Sequence, residues 1–157
     1  MTVSSGRPIT IVMIEDDEGH ARLIEKNIRR AGICNRIVAF RLGGEAMAWL
    51  MNGGLAHGSG LVMLDLNLPD IGGVEILRKI KTDPQLRRLP VVVLTTDDDQ
   101  REIQRCYDLG CNVYVTKPVE YESFAAAIRK LGLFLEVIEL PPVDPPDRGG
   151  RVKGTRP

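Results

Sequence analysis

Four short groups of reactive side chains punctuate the sequence: Glu15-Asp16-Asp17, the lone acid Asp65, Thr95-Thr96 and Thr116-Lys117-Pro118. Carboxylates brought together repel one another, so a fold that gathers them calls for a cation. All-oxygen donors suit a hard divalent ion, Mg2+ or Mn2+, and Mg2+ keeps several waters beside one or two carboxylates and a phosphate. Asp65 is suited to a further task, because a carboxylate can take a phosphoryl group and become an acyl phosphate. Lys117 supplies a point charge for the remaining phosphoryl oxygens, and the Thr95 hydroxyl a hydrogen bond to one of them. Asp17 also suits the start of a helix, where acids favour the dipole. His20 and His57 stand isolated and read as surface or helix-start residues. There is no nucleophilic triad, phosphate-binding glycine loop or zinc spacing.

What must position these groups is a set of strands. Ile9–Ile14 is a β-branched apolar run that stops at the three acids. Leu61–Leu64 is another, and Asp65 ends it; a charge at the end of a buried strand is costly unless it has a partner. Val91–Leu94 ends at Thr95-Thr96, and Cys111–Val115 ends at Thr116-Lys117-Pro118. A weaker run, Ile33–Phe40, reads as a strand nearer an edge. Between the strands lie helical patterns at 19–31, with Leu23, Ile24, Ile28 and Ala31 on one stripe, at 45–52 and at 73–82. Two more follow, from Asp97–Asp99 to about Leu109 and from 120 to about 135. Near-continuous apolar strands alternating with helices specify an α/β fold with a parallel sheet covered on both faces. In such a sheet a site lies outside the carboxyl ends of the strands, where all four groups fall.

The 157 residues suffice for one domain with a single core. Lys plus Arg and Asp plus Glu both number 21, so the net charge of zero points neither to nucleic acid nor to an anionic membrane. Cys34, Cys106 and Cys111 are odd in number and scattered, which reads as reduced thiols in a cytoplasmic protein. The opening MTVSSGRP lacks the apolar segment of a signal peptide, and no run approaches the ~18 residues a bilayer requires. Residues 1–8 read as a flexible leader, 9–135 as the domain, and 136–157 as an extension whose Pro- and Gly-rich part, 143–157, is expected to be disordered.

MIEDD, LDLNLPDIGG, VVVLTT and VYVTKPV, in this order and at these spacings, resemble the receiver domain of two-component response regulators over about residues 8–135. The resemblance implies a five-stranded, doubly wound, flavodoxin-like sheet in the order 2-1-3-4-5 with five helices. It implies that Asp65 receives a phosphoryl group from a phosphohistidine on a sensor histidine kinase. Asp16 would ligate Mg2+ directly, Glu15 through water and Asn67 through its backbone carbonyl, with Asp65 completing the set. Lys117 would bind the phosphate beside a cis Pro118. Thr95 would be the switch hydroxyl and Tyr114 the aromatic ring that swings inward on phosphorylation. Thr96 departs from the small Ala or Gly usual in receivers, and narrows access to the phosphate.

About 20 residues follow the last helix, too few for a DNA-binding domain with its own core, so the chain is expected to act through protein contacts. The stretch Leu131–Pro142 is too apolar for a helix end in water. It resembles the extension of stand-alone regulators paired with bacterial phytochromes, which helps to form a homodimer. Leu131, Phe134, Leu135, Val137 and Ile138, with 136–142 as the contact segment, are the expected dimer residues. The competing reading is a Mg2+-dependent aspartyl-phosphate phosphatase of the haloacid-dehalogenase type. Such enzymes place DxD on the first strand, whereas here the acid is on the third and position +2 is Asn67, which cannot act as a general acid.

Overall fold

The computed structural model describes residues 9–55, 59–117, 120–127 and 129. Five strands alternate with helices: β1 (Ile9–Ile14), α1 (Glu18–Arg30), β2 (Ile37–Phe40), α2 (Gly43–Met51), β3 (Ser59–Asp65), α3 (Gly73–Thr82), β4 (Val91–Thr95), α4 (Gln100–Leu109) and β5 (Val113–Thr116). Residues 121–127 are helical and begin α5. The strands form one parallel sheet in the order β2-β1-β3-β4-β5. Val12 pairs with Val38 on one side and Val62 on the other. Leu64 pairs with Val93, and Val93 with Tyr114.

β3 lies at the centre, and every one of its residues is buried. Its side chains alternate between two apolar clusters, as the two-residue period of a strand requires. Val62 and Leu64 join Val12, Ile14, Val91 and Val93 beneath α2, α3 and α4, where Met47, Ile76, Leu77, Ile80 and Cys106 pack. Leu61 and Met63 join Ile11, Met13, Val92, Leu94 and Val115 on the other face, against Ile24 and Ile28 of α1 and Phe124 of α5.

The element ends differ from the sequence reading for local reasons. β2 begins only at Ile37. Gly32, at φ 88°, turns the chain out of α1, and Arg29 Nη1 then donates to the carbonyls of Ile33 and Asn35. Asn35 Nδ2 bonds the Ile9 carbonyl instead of entering the ladder. β5 likewise begins at Val113, because the Asn112 side chain and backbone take the Val91 N–H and C=O for themselves. On α1 the buried stripe is Ile24, Asn27 and Ile28; Leu23, expected inward, faces solvent. α2 starts two residues early, at Gly43, because the Asp70 carboxylate, from the loop after β3, accepts from Gly43 N and Gly44 N at 2.9 and 2.8 Å. His57, Pro118, Ile128 and the whole of 130–157 lie outside the described residues, and with them the cis-proline and dimer-contact expectations.

Candidate metal and phosphoryl site

Glu15 and Asp16 leave β1, Asp65 ends β3, Thr95 ends β4 and Lys117 follows β5, so parallel pairing alone brings them to one edge of the sheet. One oxygen from each of Glu15, Asp16 and Asp65 lies within 4.8 Å of the others. Glu15 and Asp65 are 3 % exposed and Lys117 is 8 % exposed. Lys117 Nζ lies 2.8 Å from Glu15 Oε1 and 3.5 Å from Asp65 Oδ1. Three carboxylates against one ammonium leave an excess of negative charge in a place with little water. Burial holds the Glu15 carboxyl above the ordinary carboxylate range; the Lys117 and Asp17 N–H bonds act the other way, and the neighbouring Asp65 charge adds to the rise. The donor set is all oxygen, and its excess charge matches a hard divalent cation.

The backbone around Asp65 is set by close packing. Gly73 donates its N–H to the Leu66 carbonyl at 2.9 Å. A Cβ at Gly73 would stand 2.4 Å from Leu66 Cα and 2.5 Å from the Asp65 carbonyl oxygen. Only glycine lets α3 start this close beneath the end of β3. Asn67 N donates to Asp65 Oδ1 at 3.2 Å, orienting the carboxylate.

Thr95 is fully buried. Its Oγ1 accepts from Asp97 N at 3.2 Å, and Asn67 Nδ2 approaches it at 3.5 Å. Its carbonyl accepts from Lys117 N at 2.7 Å, which continues the β4–β5 ladder into the residue that carries the charge. Thr96 is exposed beside it. Tyr114 packs half-buried against the α2–α4 cluster. Its hydroxyl donates to the Asp97 carbonyl at 2.6 Å, and burial pushes its ionisation well above the usual tyrosine range.

As its place in the sequence suggests, Asp17 is the N-cap of α1, accepting from His20 N at 3.0 Å. Two other contacts were missed in the sequence. The same turn places His20 Nδ1 3.4 Å from Lys117 Nζ. His20 is therefore not isolated but part of the site. The signal was its position in the first turn of a helix that opens at the same sheet edge. Asp70 is the second, since a cap supplied from 27 residues away leaves no local pattern.

The profile of the response regulator receiver domain matches residues 11–129. Response regulator Rcp1 of Synechocystis sp. is 34 % identical over 145 residues, 90 % of this chain and 99 % of that protein. The Mn(2+)-bound form of Rcp1 superposes with a TM-score of 0.70 at 33 % identity, covering 85 % of this chain and 99 % of that one. A receiver domain from Rhodospirillum rubrum is 60 % identical, with a TM-score of 0.73 over 87 % of this chain and 99 % of that one. The phosphorylated cyanobacterial phytochrome response regulator RcpA is 35 % identical, with a TM-score of 0.69 over 82 % of this chain and 94 % of that one.

Proposed function

Since this chain belongs to the response regulator receiver domain family of two-component signalling, we propose that Asp65 is its phosphoacceptor and that phosphorylation there switches a protein-interaction surface. The observation that carries this is the buried Asp65 carboxylate at the end of the central strand, with Lys117 Nζ 3.5 Å away and Glu15 and Asp16 beside it. A carboxylate oxygen of Asp65 attacks the phosphorus of a histidine kinase's phosphohistidine, and the P–N bond breaks as the P–O bond forms. Glu15, Asp16, Asp65 and the Asn67 backbone carbonyl would hold Mg2+ or Mn2+, which when bound neutralises charge between carboxylate and phosphoryl oxygens. Lys117 offsets the charge of a phosphoryl oxygen, the Thr95 hydroxyl turns to bond another, and Tyr114 follows Thr95 through the shared Asp97 segment. Thr96 borders the opening to the phosphate.

The kinase is a phytochrome-type sensor, in keeping with RcpA, a phytochrome response regulator. The regulator works in the cytoplasm, and its domain, 9–135, contacts proteins rather than DNA or a membrane. No described helix is long and apolar enough to cross a membrane. Leu131, Phe134, Leu135, Val137 and Ile138 join two copies. The protein holds one phosphoryl group and turns over no free phosphomonoester. The phosphatase reading has no support, because the acid lies on β3 and the Asn67 amide at +2 cannot serve as a general acid.

The test is phosphotransfer from a panel of labelled histidine kinases, a phytochrome kinase among them, with Asp65→Asn as control. Label is expected on the wild-type chain, fastest from the phytochrome kinase, and none on the variant. Label that survives Asp65→Asn would refute the site.

A further inference from the structure

We propose that His20 is a positioning residue for Lys117, its Nδ1 accepting a hydrogen bond that holds the ammonium group between Glu15 and Asp65. This rests on the reading of Asp65 as phosphoacceptor. A lysine ammonium has three N–H donors and no acceptor. Among the described residues three acceptors surround Lys117 Nζ: Glu15 Oε1 at 2.8 Å, His20 Nδ1 at 3.4 Å and Asp65 Oδ1 at 3.5 Å. The Lys117 side chain is 4 % exposed, so water is a poor substitute for a lost partner. A buried charged donor left unpaired is expensive.

The nearest carboxylate is the wrong one for chemistry. Glu15 is 0.7 Å closer to Nζ than Asp65 is (2.8 against 3.5 Å), so the ammonium already makes its shortest bond to Glu15, and a partner on another side limits how far it leans away from Asp65. When Asp65 is phosphorylated its esterified oxygen loses charge, and the pull on that side moves to the phosphoryl oxygens. The imidazole carries no negative charge and accepts through a ring nitrogen from a place apart from both carboxylates. That place is set by the helix: Asp17 Oδ1 accepts from His20 N at 3.0 Å and lies 3.9 Å from His20 Nδ1. Among the described residues, the groups facing the ring are therefore Asp17 from its own helix cap and Lys117 from the end of β5, with Glu15 behind the lysine. The Arg22–Glu18 pair lies on the exposed side of α1. The contact requires the Nε2–H tautomer, in which Nδ1 is free to accept.

The experiment uses the full chain, acetyl phosphate as donor and saturating Mg2+. His20→Leu is expected to phosphorylate about tenfold more slowly, the factor expected for one hydrogen bond to a charged group, with unchanged Mg2+ affinity. His20→Asn places an amide oxygen where Nδ1 stood and is expected to recover the wild-type rate; His20→Gln places it one atom too far and is expected to resemble Leu. Nitrogen-15 NMR, with His57→Gln to assign the ring, is expected to show His20 as the Nε2–H tautomer. A wild-type rate for His20→Leu, equal rates for Asn and Gln, or an Nδ1–H tautomer would each overturn the proposal. Should the Leu variant fold poorly, the comparison of Asn with Gln and the tautomer decide it. Labelling of Asp65→Asn in the same assay would instead overturn the phosphoacceptor assignment.

Discussion

The hydroxyl of Tyr114 donates to the backbone carbonyl of Asp97 at 2.6 Å, tying the last strand to the loop that follows β4. Thr95 is bound into the same loop, because its Oγ1 accepts from Asp97 N at 3.2 Å. A displaced Thr95 hydroxyl therefore frees the segment on which Tyr114 is anchored. Tyr114→Phe is expected to lower stability by about 1 kcal/mol, the usual net value of a neutral hydrogen bond, read from the urea midpoint. The tyrosine's raised ionisation makes a second difference. Its stabilising contribution is present below the ordinary tyrosine value and is lost as pH rises above it. The wild-type chain should lose stability above pH ~10 more steeply than Tyr114→Phe.

Adding Mg2+ is expected to stabilise the fold, because a cation that binds the native carboxylates and not the unfolded chain shifts the equilibrium by mass action. At 100 times its dissociation constant the gain is about 2.7 kcal/mol. Thermal melts in EDTA and in Mg2+ measure it. Asp16→Asn is expected to remove most of the gain, and an undiminished gain would exclude Asp16 from the ligand set.

Asp70 links acid sensitivity to α2. Its carboxyl is held below the ordinary range, first by the N–H of Gly44 and then by that of Gly43. A depressed carboxylate contributes stability that is present above its unfolded value and lost as pH falls through its folded one. Asp70→Asn is therefore expected to be less stable than wild type at pH 7, with the difference shrinking as the pH is taken below 4. Paired urea melts at the two pH values would show this, and a constant difference would rule out the charge as its source.

Gly73→Ala is expected to cost about 1–3 kcal/mol, the range for forcing a methyl group into filled space. The obstruction is backbone, namely Leu66 Cα and the Asp65 carbonyl, so no side chain can rotate away. Because Asp65 itself must shift, phosphorylation should slow by more than the loss of folded protein explains.

For assembly, light scattering of the full chain is expected to give the mass of a dimer, and Phe134→Glu the mass of a monomer. A monomeric wild-type chain would remove the dimer contact from the proposal.

The architecture was legible because parallel sheets write themselves into sequence as unbroken apolar runs. β1 and α3 stand where the pattern put them. Asp65, Glu15 and Lys117 were legible as charges at strand ends, where burial without function would be a loss. What escaped were features made by side chains reaching backbone far away. Asn35 and Asn112 shortened two strands, Asp70 capped a helix from another loop, and Asn27, 4 % exposed, took a core position where apolar periodicity pointed to Leu23. His20 escaped for a related reason. Its partner lies 97 residues away, and nothing in its neighbours names a lysine.

The alternation of strand side chains between two apolar clusters carries past the strands into the site. Counting by twos, Glu15 follows Ile11 and Met13, Asp65 follows Leu61 and Met63, and Lys117 follows Val113 and Val115, all on the α1 and α5 face. Thr95 follows Val91 and Val93, and Tyr114 joins them, on the face of α2, α3 and α4. The sheet is thus a partition, with the charged side chains of the site on one side and the hydroxyls of Thr95 and Tyr114 on the other. Volume changes in the two half-cores should then have separable effects: those around Ile24 and Phe124 alter how fast charge arrives, and those around Ile80 and Cys106 alter what its arrival changes.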